Sequence, residues 1–404
     1  MTESHHSPAP LPTPLRVLRV QSRICIGGPA LNTILLSAHL DPTRFKTVLV
    51  GGRLEAGEKS MEGLAHEKGV DVRLLPEMGR SVRWFDDLKA LMRLIALIRR
   101  YKPHIVHTHT AKAGAIGRVA AWLCRVPMRL HTFHGHTFHG YFSPMVTRIF
   151  IWIERLLARI SHRIVVISNR QKEDICSVYR VAPEAKTTVV PLGFELAKLI
   201  GAPRGRFRAS LGLDPHVTLA AILARLVPIK NHDLLLRAVA AWHAAVPEAT
   251  PAEVRFLIIG DGELRETLEA QAQALGIAPF VLFTGWRREV ADIYADIDLN
   301  LLVSKNEGTP VTLIEGLSNG VPVLTTDVGG IRDFAGDDCG TIVPADISAE
   351  ALGAHLADLL PHGKPPARLP ESVRRRIATQ FDVSRLVGDI ERLYLSLAAE
   401  KKMR

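Results

Sequence analysis

Leu299-Asn300-Leu301-Leu302-Val303 is followed by Ser304-Lys305-Asn306-Glu307-Gly308-Thr309-Pro310 and then by Val311-Thr312-Leu313-Ile314-Glu315-Gly316-Leu317-Ser318. The first segment is a short apolar run, the signature of a strand buried on both faces. The second is polar and holds Gly and Pro, which punctuate regular structure. The third carries apolar residues at helical spacing. Strand, polar turn and helix make one half of a parallel α/β unit.

The same grammar extends outward in both directions. In the second half, strands are expected at Thr218–Ala224, Arg255–Ile259, Val281–Thr284, Leu299–Val303 and Val321–Thr325. Helices are expected at Asn231–Trp242, Glu263–Leu275, Val290–Tyr294, Val311–Ser318 and Ala349–Leu360. The first half reads as strands Leu15–Val20, Lys46–Val50, Val70–Leu75, His104–Thr108, Met128–His134, Arg163–Ile167 and Thr188–Pro191. Its helices are Ala30–Leu40, Trp84–Tyr101, Ala113–Cys124, Met145–Ile160 and Asn169–Tyr179. Such alternation predicts mainly parallel sheets covered on both faces, with ligands beyond the carboxyl ends of the strands.

Two segments rich in Gly, Pro or Arg, 193–213 and 361–370, lack periodicity and read as linkers. Beyond the second, Glu371–Glu400 reads as helix interrupted around Gln380–Asp382. The expected organisation is a tail over 1–14, an N-terminal domain over 15–198, a C-terminal domain over 199–378, and a helix over 379–404 crossing back to the N-terminal domain.

The chain has 404 residues, 47% hydrophobic and 23% charged, an ordinary globular balance for two or three domains. Its net charge of +10 favours an anionic partner: a phosphate-bearing substrate, an acidic membrane surface or nucleic acid. Nucleic acid is the weakest, because no helix-turn-helix, zinc-finger or basic-aromatic sheet signature is present. Cys25, Cys124, Cys176 and Cys339 lack paired spacing, so they read as buried free thiols. No apolar run reaches the length of a membrane span, and the tail lacks the apolar core of a signal peptide.

Four segments could carry chemistry. Gly27-Gly28-Pro29 joins the first strand to a helix, where glycine lets a ligand approach the backbone and the helix N-terminus favours a phosphate. A tight turn explains the glycines equally well. Arg225 and Lys230, five positions apart after a strand, can grip a diphosphate or simply be solvated. Glu307 and Glu315 lie eight positions apart, a little over two helical turns, so both can face one site. Glu315 has small or apolar neighbours; a ribose diol or a salt bridge to an Arg would satisfy it. Finally, His107, His109, Lys112, His131, His134, His136 and His139 cluster after two strands. No acidic residue or cysteine lies among the histidines, which favours hydrogen bonding to a polar substrate over metal binding. His104 and His131 are expected to be structural. Asp296-Ile297-Asp298 directly precedes a buried strand and is read as structural rather than metal-binding. Trp84, Leu88, Leu91, Ile95 and Ile98 are expected on one face of a helix and Lys89, Arg93 and Arg100 on another, a pattern for sheet packing or for anionic lipid.

Taken together, these segments resemble glycosyltransferase family 4, from about residue 15 to about residue 395. Its anchors stand in order: Gly27-Gly28, Phe133-His134, Arg225 with Lys230, and Glu307 with Glu315. Val190-Pro191-Leu192-Gly193, Ile259-Gly260-Asp261-Gly262, Gly285-Trp286 and Thr326-Asp327-Val328-Gly329-Gly330 look familiar too. The stretch from His107 to Gly140 is similar to that of relatives building capsule, exopolysaccharide and O-antigen chains.

The resemblance implies an α/β fold of two Rossmann-like doubly wound domains facing across a cleft, called GT-B, which closes on ligand. It implies a retaining hexosyl transfer from a nucleotide-sugar, UDP rather than GDP, which is a co-substrate; no cofactor and no metal are expected. Gly27, Gly28, Arg225, Lys230, Trp286, Glu307, Gly308, Thr309, Pro310 and Glu315 would bind the donor, with Glu315 on the ribose. Arg225 and Lys230 would neutralise the leaving diphosphate, and Glu307 would hold the donor sugar. His134 would touch the transferring sugar, with His136 as the alternative, and His107, His109 and Lys112 would lie on the acceptor or sugar side. Expected partners are a glycan or polyprenyl-diphosphate-linked acceptor and an anionic membrane surface, with a cytoplasmic location at the inner face of the membrane. The family commonly follows its first glycines with a charged or polar residue; this chain has Pro29-Ala30-Leu31-Asn32. A nucleotide-sugar epimerase on the same fold and a non-catalytic binder are the competing readings. A dehydrogenase is disfavoured because Gly-x-Gly-x-x-Gly does not follow the first strand.

Overall fold

In the computed structural model, residues 13–55, 58–79, 81, 83–135, 138 and 143–401 are described. They divide into two units, Met1–Phe194 with Val383–Arg404, and Glu195–Asp382. The expected boundaries stood at 198/199 and 378/379.

The first unit opens with β1 (Leu15–Val20), α1 (Gly28–His39), β2 (Phe45–Gly52), α2 (Glu62–Glu67) and β3 (Asp71–Leu75). It continues through α3 (Trp84–Tyr101), β4 (Ile105–His109), α4 (Ala111–Leu123), β5 (Met128–Phe133), α5 (Pro144–Ile160) and β6 (Arg163–Val166). α6 (Asn169–Glu173) runs into a π turn at Asp174–Val178, and β7 (Thr187–Val189) completes the sheet. All pairings are parallel, in the order β3-β2-β1-β4-β5-β6-β7. Alternating residues of the central strands feed opposite faces: Leu18, Val20 and Val106 pack with Leu94 and Ile98, whereas Leu49 packs with Ile34 and Val70.

The second unit holds α7 (Arg206–Ser210), β8 (Thr218–Leu223), α8 (His232–Ala245), β9 (Val254–Ile259), α9 (Arg265–Ala274), β10 (Val281–Gly285) and α10 (Val290–Asp296). Then come β11 (Leu299–Leu302), α11 (Val311–Ser318), β12 (Val323–Thr326), β13 (Gly340–Val343), α12 (Ala349–Leu359) and α13 (Glu371–Gln380). Its parallel sheet has the order β10-β9-β8-β11-β12-β13. Trp242 is fully buried, edge-on to Phe256 and Phe280, and centres this core. The last helix, α14 (Val383–Glu400), belongs to the first unit, where it packs on α1 and buries Ile390, Tyr394 and Leu397.

In both sheets the chain starts in the middle, winds outward, then returns to pair on the other side of its first strand. The order reverses between β1 and β4, and between β8 and β11. The carboxyl ends at such reversals leave a crevice, because successive connections depart in opposite directions.

Several expectations need correction. α2, α7 and β13 are additional; each is short, which weakens a periodic signal. Residues 361–370 do not link units. They are strapped to the second unit by Arg368, whose guanidinium donates to the carbonyls of Ala295 and Ile297 at 2.8 Å each, and by Leu369 N to Gly320 O at 2.9 Å. On α3 the buried face is Ala90, Leu94, Ile95 and Ile98, while Trp84 and Leu88 stand in solvent. The expected face extended one turn too far toward the helix N-terminus, where Trp84, Phe85 and Leu88 are exposed. None of the cysteines is held in a disulfide, and only Cys339 is fully buried. Asp296 and Asp298, by contrast, are structural as expected: Asp296 accepts from the backbone of Gly205 and Arg208 at the start of α7, and Asp298 pairs with Arg208 at 2.6 Å. Of the tail expected over 1–14, residues 1–12 lie outside the described residues.

Candidate donor site and histidine cluster

The second unit brings its expected cations to the β8/β11 reversal. Arg225 leaves β8 in a loop held by Ala224 N to Ile259 O at 3.0 Å and Leu226 N to Asp261 O at 3.0 Å. Gly260 and Gly262 make that approach possible, since a Cβ on Gly260 would stand 2.0 Å from the Ala224 carbonyl oxygen. The Arg225 side chain is exposed, with no hydrogen-bond or ion-pair partner among the described residues. It is a fixed loop carrying a free guanidinium, suited to a diphosphate.

Lys230 and Glu307 are brought together. They form an ion pair across the reversal, with side chains 19% and 11% exposed. Lys305 N donates to Ile229 O at 2.9 Å and stitches the two loops into one surface. Gly329 supports the Glu307 loop from below: its φ is +58°, and a Cβ there would lie 2.2 Å from the Glu307 carbonyl oxygen. Gly330 N donates to Gly308 O at 2.8 Å. Pro310 is the extended residue before α11 and fixes the loop's entry into the helix. The hydroxyls of Ser304 and Thr309 are buried there without a protein partner, an uncommon state for polar atoms.

Glu315 projects from the second turn of α11 and accepts a hydrogen bond from the Tyr294 hydroxyl at 3.0 Å. That phenol also lies 3.0 Å from the Thr312 carbonyl, so one proton serves two acceptors. No cation pairs with Glu315 among the described residues, so the salt bridge to an arginine does not form. Burial raises its pKa from 4.5 to about 7, and the Tyr294 hydrogen bond offsets only part of that rise. The carboxyl is short of donors, as a ribose-diol acceptor would be before its ligand arrives. Trp286 is half-buried just beyond β10, two strands from β8.

In the first unit, Gly27 precedes α1 with φ 156° and Gly28 opens it. A Cβ on Gly27 would meet only Pro29 Cδ, at 3.9 Å, so the space before this turn is open.

Across the β1/β4 reversal lies a core of imidazoles. His107 and His109 stack at 4.5 Å, and His109 Nδ1 lies 2.9 Å from His134 Nε2. Arg19, fully buried, donates to the Tyr394 hydroxyl at 3.3 Å, which directs the phenol proton to His107 Nδ1 at 2.7 Å. His107 Nε2 then carries its proton toward Thr132 Oγ1 at 2.7 Å. Burial holds His107, His109 and His131 well below the ordinary imidazole range, and the Arg19 charge adds to this at His107 and His109. Burial alone takes His134 down to about 4. The cluster is therefore neutral at physiological pH. His109 and His134 share one proton along their contact, and the far nitrogens, His109 Nε2 and His134 Nδ1, are buried without partners. One is a donor and the other an acceptor, so a hydroxyl, which can do either, is a fitting ligand.

Lys112 is placed elsewhere: it pairs with Asp87 of α3 and donates to the Ser81 carbonyl. His136 and His139 lie outside the described residues. His131 is buried with Nδ1 2.9 Å from Thr108 Oγ1, and His104 Nδ1 accepts from Arg16 N at 3.0 Å. Among the described residues no three His, Cys, Asp or Glu side chains gather as a metal-holding group.

Two family models match in tandem, the glycosyl transferase 4-like domain over residues 27–193 and glycosyl transferases group 1 over residues 203–376. The chain is a group 1 glycosyltransferase of the family 4 type. An Escherichia coli UDP-Gal:alpha-D-GlcNAc-diphosphoundecaprenol alpha-1,3-galactosyltransferase is 29% identical over 331 residues, 81% of this chain and 84% of that one. The capsular polysaccharide biosynthesis glycosyltransferase CapM of Staphylococcus aureus is 25% identical over 339 residues, 80% of this chain and 85% of its own length. HepE of Anabaena, solved in complex with UDP, superposes with a TM-score of 0.77 at 18% identity, covering 95% of this chain and 100% of HepE. The fold of this glycosyltransferase is thus GT-B.

Some residues of these sites escaped sequence reasoning. Tyr294 and Tyr394 sit among apolar residues at helical spacing, which is the pattern of ordinary core. Arg19 is a charge in a largely apolar strand; it is buried against Tyr394 of α14, 375 positions away in sequence.

Proposed function

We propose that this glycosyltransferase moves a hexose from a UDP-sugar, with retention, onto a lipid-linked glycan in cell-surface polysaccharide assembly. The observation that carries the donor half is the grouping of Arg225, the Lys230–Glu307 pair and the carboxyl of Glu315 around one strand reversal. Glu315 accepts both ribose hydroxyls. Arg225 and Lys230 meet the two phosphates and stabilise the charge that grows on the leaving UDP, a role two fixed cations can fill without a metal. Glu307, released from Lys230 when the diphosphate arrives, turns its carboxylate to hydroxyls of the donor sugar. Gly308, Thr309 and Pro310 offer backbone and the orphaned Thr309 hydroxyl beside it, and Trp286 borders the donor. Gly27 and Gly28 let the acceptor-side turn approach the phosphates. His134, neutral and steadied by His109, hydrogen-bonds the transferring sugar.

The acceptor half is supported by the relatives. The Escherichia coli enzyme acts on a sugar carried by diphosphoundecaprenol, and CapM serves capsular polysaccharide synthesis. With an acceptor of that kind, the reaction is expected at the inner face of the cell membrane.

Thermal unfolding with UDP, GDP and ADP, each alone and as common sugar conjugates, tests the donor assignment. UDP and a UDP-sugar should raise the melting temperature, and Glu315→Ala and Arg225→Ala should each remove the shift. A shift with GDP alone, or an undiminished UDP shift in both variants, would refute it.

A further inference from the structure

A helix that covers a sheet ordinarily turns its apolar side inward and its polar side to water. α5 presents an apolar stripe to water as well. Met145, Ile149, Trp152 and Leu156 are 73%, 52%, 60% and 36% exposed. Their spacing of four, three and four residues puts them on one line along the helix. The helix has a single acid, Glu154, and it faces inward, where Arg118 binds it through both oxygens at 2.9 and 2.8 Å. Its exposed charges are therefore Arg148, Arg155 and Arg159, all positive, beside the stripe. The guanidinium groups of Arg148 and Arg159 have no hydrogen-bond or ion-pair partner among the described residues.

The stripe has neighbours. α4 packs against both α3 and α5, and its last turn exposes Trp122 and Leu123. The first turns of α3 expose Trp84, Phe85, Leu88 and Met92. Three adjacent helices thus share an outward apolar character unusual for a protein surface that meets only water.

We propose that this helical face docks on a bilayer surface containing anionic lipid, with α5 lying in the plane of the interface. Large aromatic and aliphatic side chains reach the acyl boundary, and the flanking arginines meet lipid phosphates. A second copy of the chain is the poorer occupant: a two-fold contact through α5 would set Arg148, Arg155 and Arg159 against their equivalents, with no outward acid on the helix to relieve them. The proposal deepens the lipid-linked reading above, since such an acceptor requires a membrane, but its evidence is the surface itself.

The test is flotation of the full chain with vesicles of phosphatidylcholine alone, or of phosphatidylcholine and phosphatidylglycerol mixed two to one. The protein should float with the mixed vesicles at low salt and much less with phosphatidylcholine. Replacing Ile149 and Trp152 together by Glu should abolish flotation. Arg148→Ser and Arg159→Ser should each weaken it about five-fold. Circular dichroism and unchanged transfer to a short-chain, water-soluble acceptor would show the variants folded and active. No flotation of the wild type with mixed vesicles, or flotation unaffected by the double Glu variant, would overturn the proposal. So would a concentration-dependent dimer lost in that variant. Transfer absent from the wild type while flotation persists would instead count against the catalytic reading and leave the docking face standing.

Discussion

Glu315→Gln isolates the energetic consequence of placing a carboxyl among apolar neighbours with a single hydrogen-bond donor. Burial raises its pKa from 4.5 to about 7. The neutral form is thus favoured in the folded state, and the folded protein binds more protons than the unfolded chain between those two values. Stability is therefore greatest below pH 4.5 as far as this group is concerned, and is lost as pH rises through about 7. A rise of that size corresponds to roughly 3 kcal/mol as an upper figure, because Glu315 is only partly shielded from water. Glutamine keeps the shape and cannot ionise. The variant should therefore gain on the wild type by about 2 to 3 kcal/mol between about pH 5 and about pH 8.5. Denaturant unfolding at a series of pH values measures this. A stability difference that is flat across that range would show that Glu315 is not held in a carboxylate-hostile environment. The same carboxylate becomes favourable once ribose hydroxyls donate to it, so UDP binding should release a proton below about pH 7. Calorimetry in two buffers of different ionisation enthalpy would detect that release, and Glu315→Gln should lack it.

Other consequences follow from single contacts. Tyr294→Phe should destabilise by about 1 kcal/mol and move the Glu315 titration further upward, since the lost hydrogen bond is the one that lowers it; the pH series above reads both effects. Lys230→Met should weaken UDP binding and turnover together, whereas Glu307→Gln should leave UDP affinity equal or higher, because Lys230 is freed, while lowering turnover on the UDP-sugar. Equal losses of UDP affinity in the two would contradict the division of that ion pair by the donor. Gly329→Ala should cost about 1 to 3 kcal/mol from its positive φ and its contact with the Glu307 carbonyl, and should reduce donor-sugar binding more than UDP binding. Glu154→Gln should destabilise by about 3 to 5 kcal/mol by stranding the buried Arg118, and replacing both by Leu should recover most of it; urea melts of the single and double variants distinguish these.

The long elements were legible from their apolar pattern, a largely apolar run in Leu15–Val20 and a helical period in Trp84–Tyr101 and Val311–Ser318, and these have the same limits in sequence and structure. The loops beyond β8 and β11 were legible as well, since Gly, Pro and isolated charges gather where a strand ends and the backbone turns. Long-range partnership was not. The ion pairing of Lys230 with Glu307 joins loops on two strands that neighbour one another only in the sheet. Tyr294 reaches Glu315 from α10, and Tyr394 reaches His107 from the far end of the chain, so neither leaves a local trace. The outward stripe of α5 was only partly legible, as an apolar stretch after Tyr141-Phe142-Ser143-Pro144 that hints at acceptor or membrane contact. Its periodicity is that of a core helix, and only the inward turn of Glu154 toward Arg118 shows which side faces the sheet.

One product assay tests the transfer itself. The enzyme is incubated with a panel of UDP-hexoses and a polyprenyl-diphosphate-linked N-acetylglucosamine, and the lipid fraction is analysed by mass spectrometry. One added hexose is expected from one member of the panel, with the new bond in the anomeric configuration of the donor, and its loss is expected in Arg225→Ala. A lipid fraction unchanged across the panel, with the UDP-hexose recovered as its epimer, would contradict the assignment of this chain as a UDP-hexose-dependent transferase.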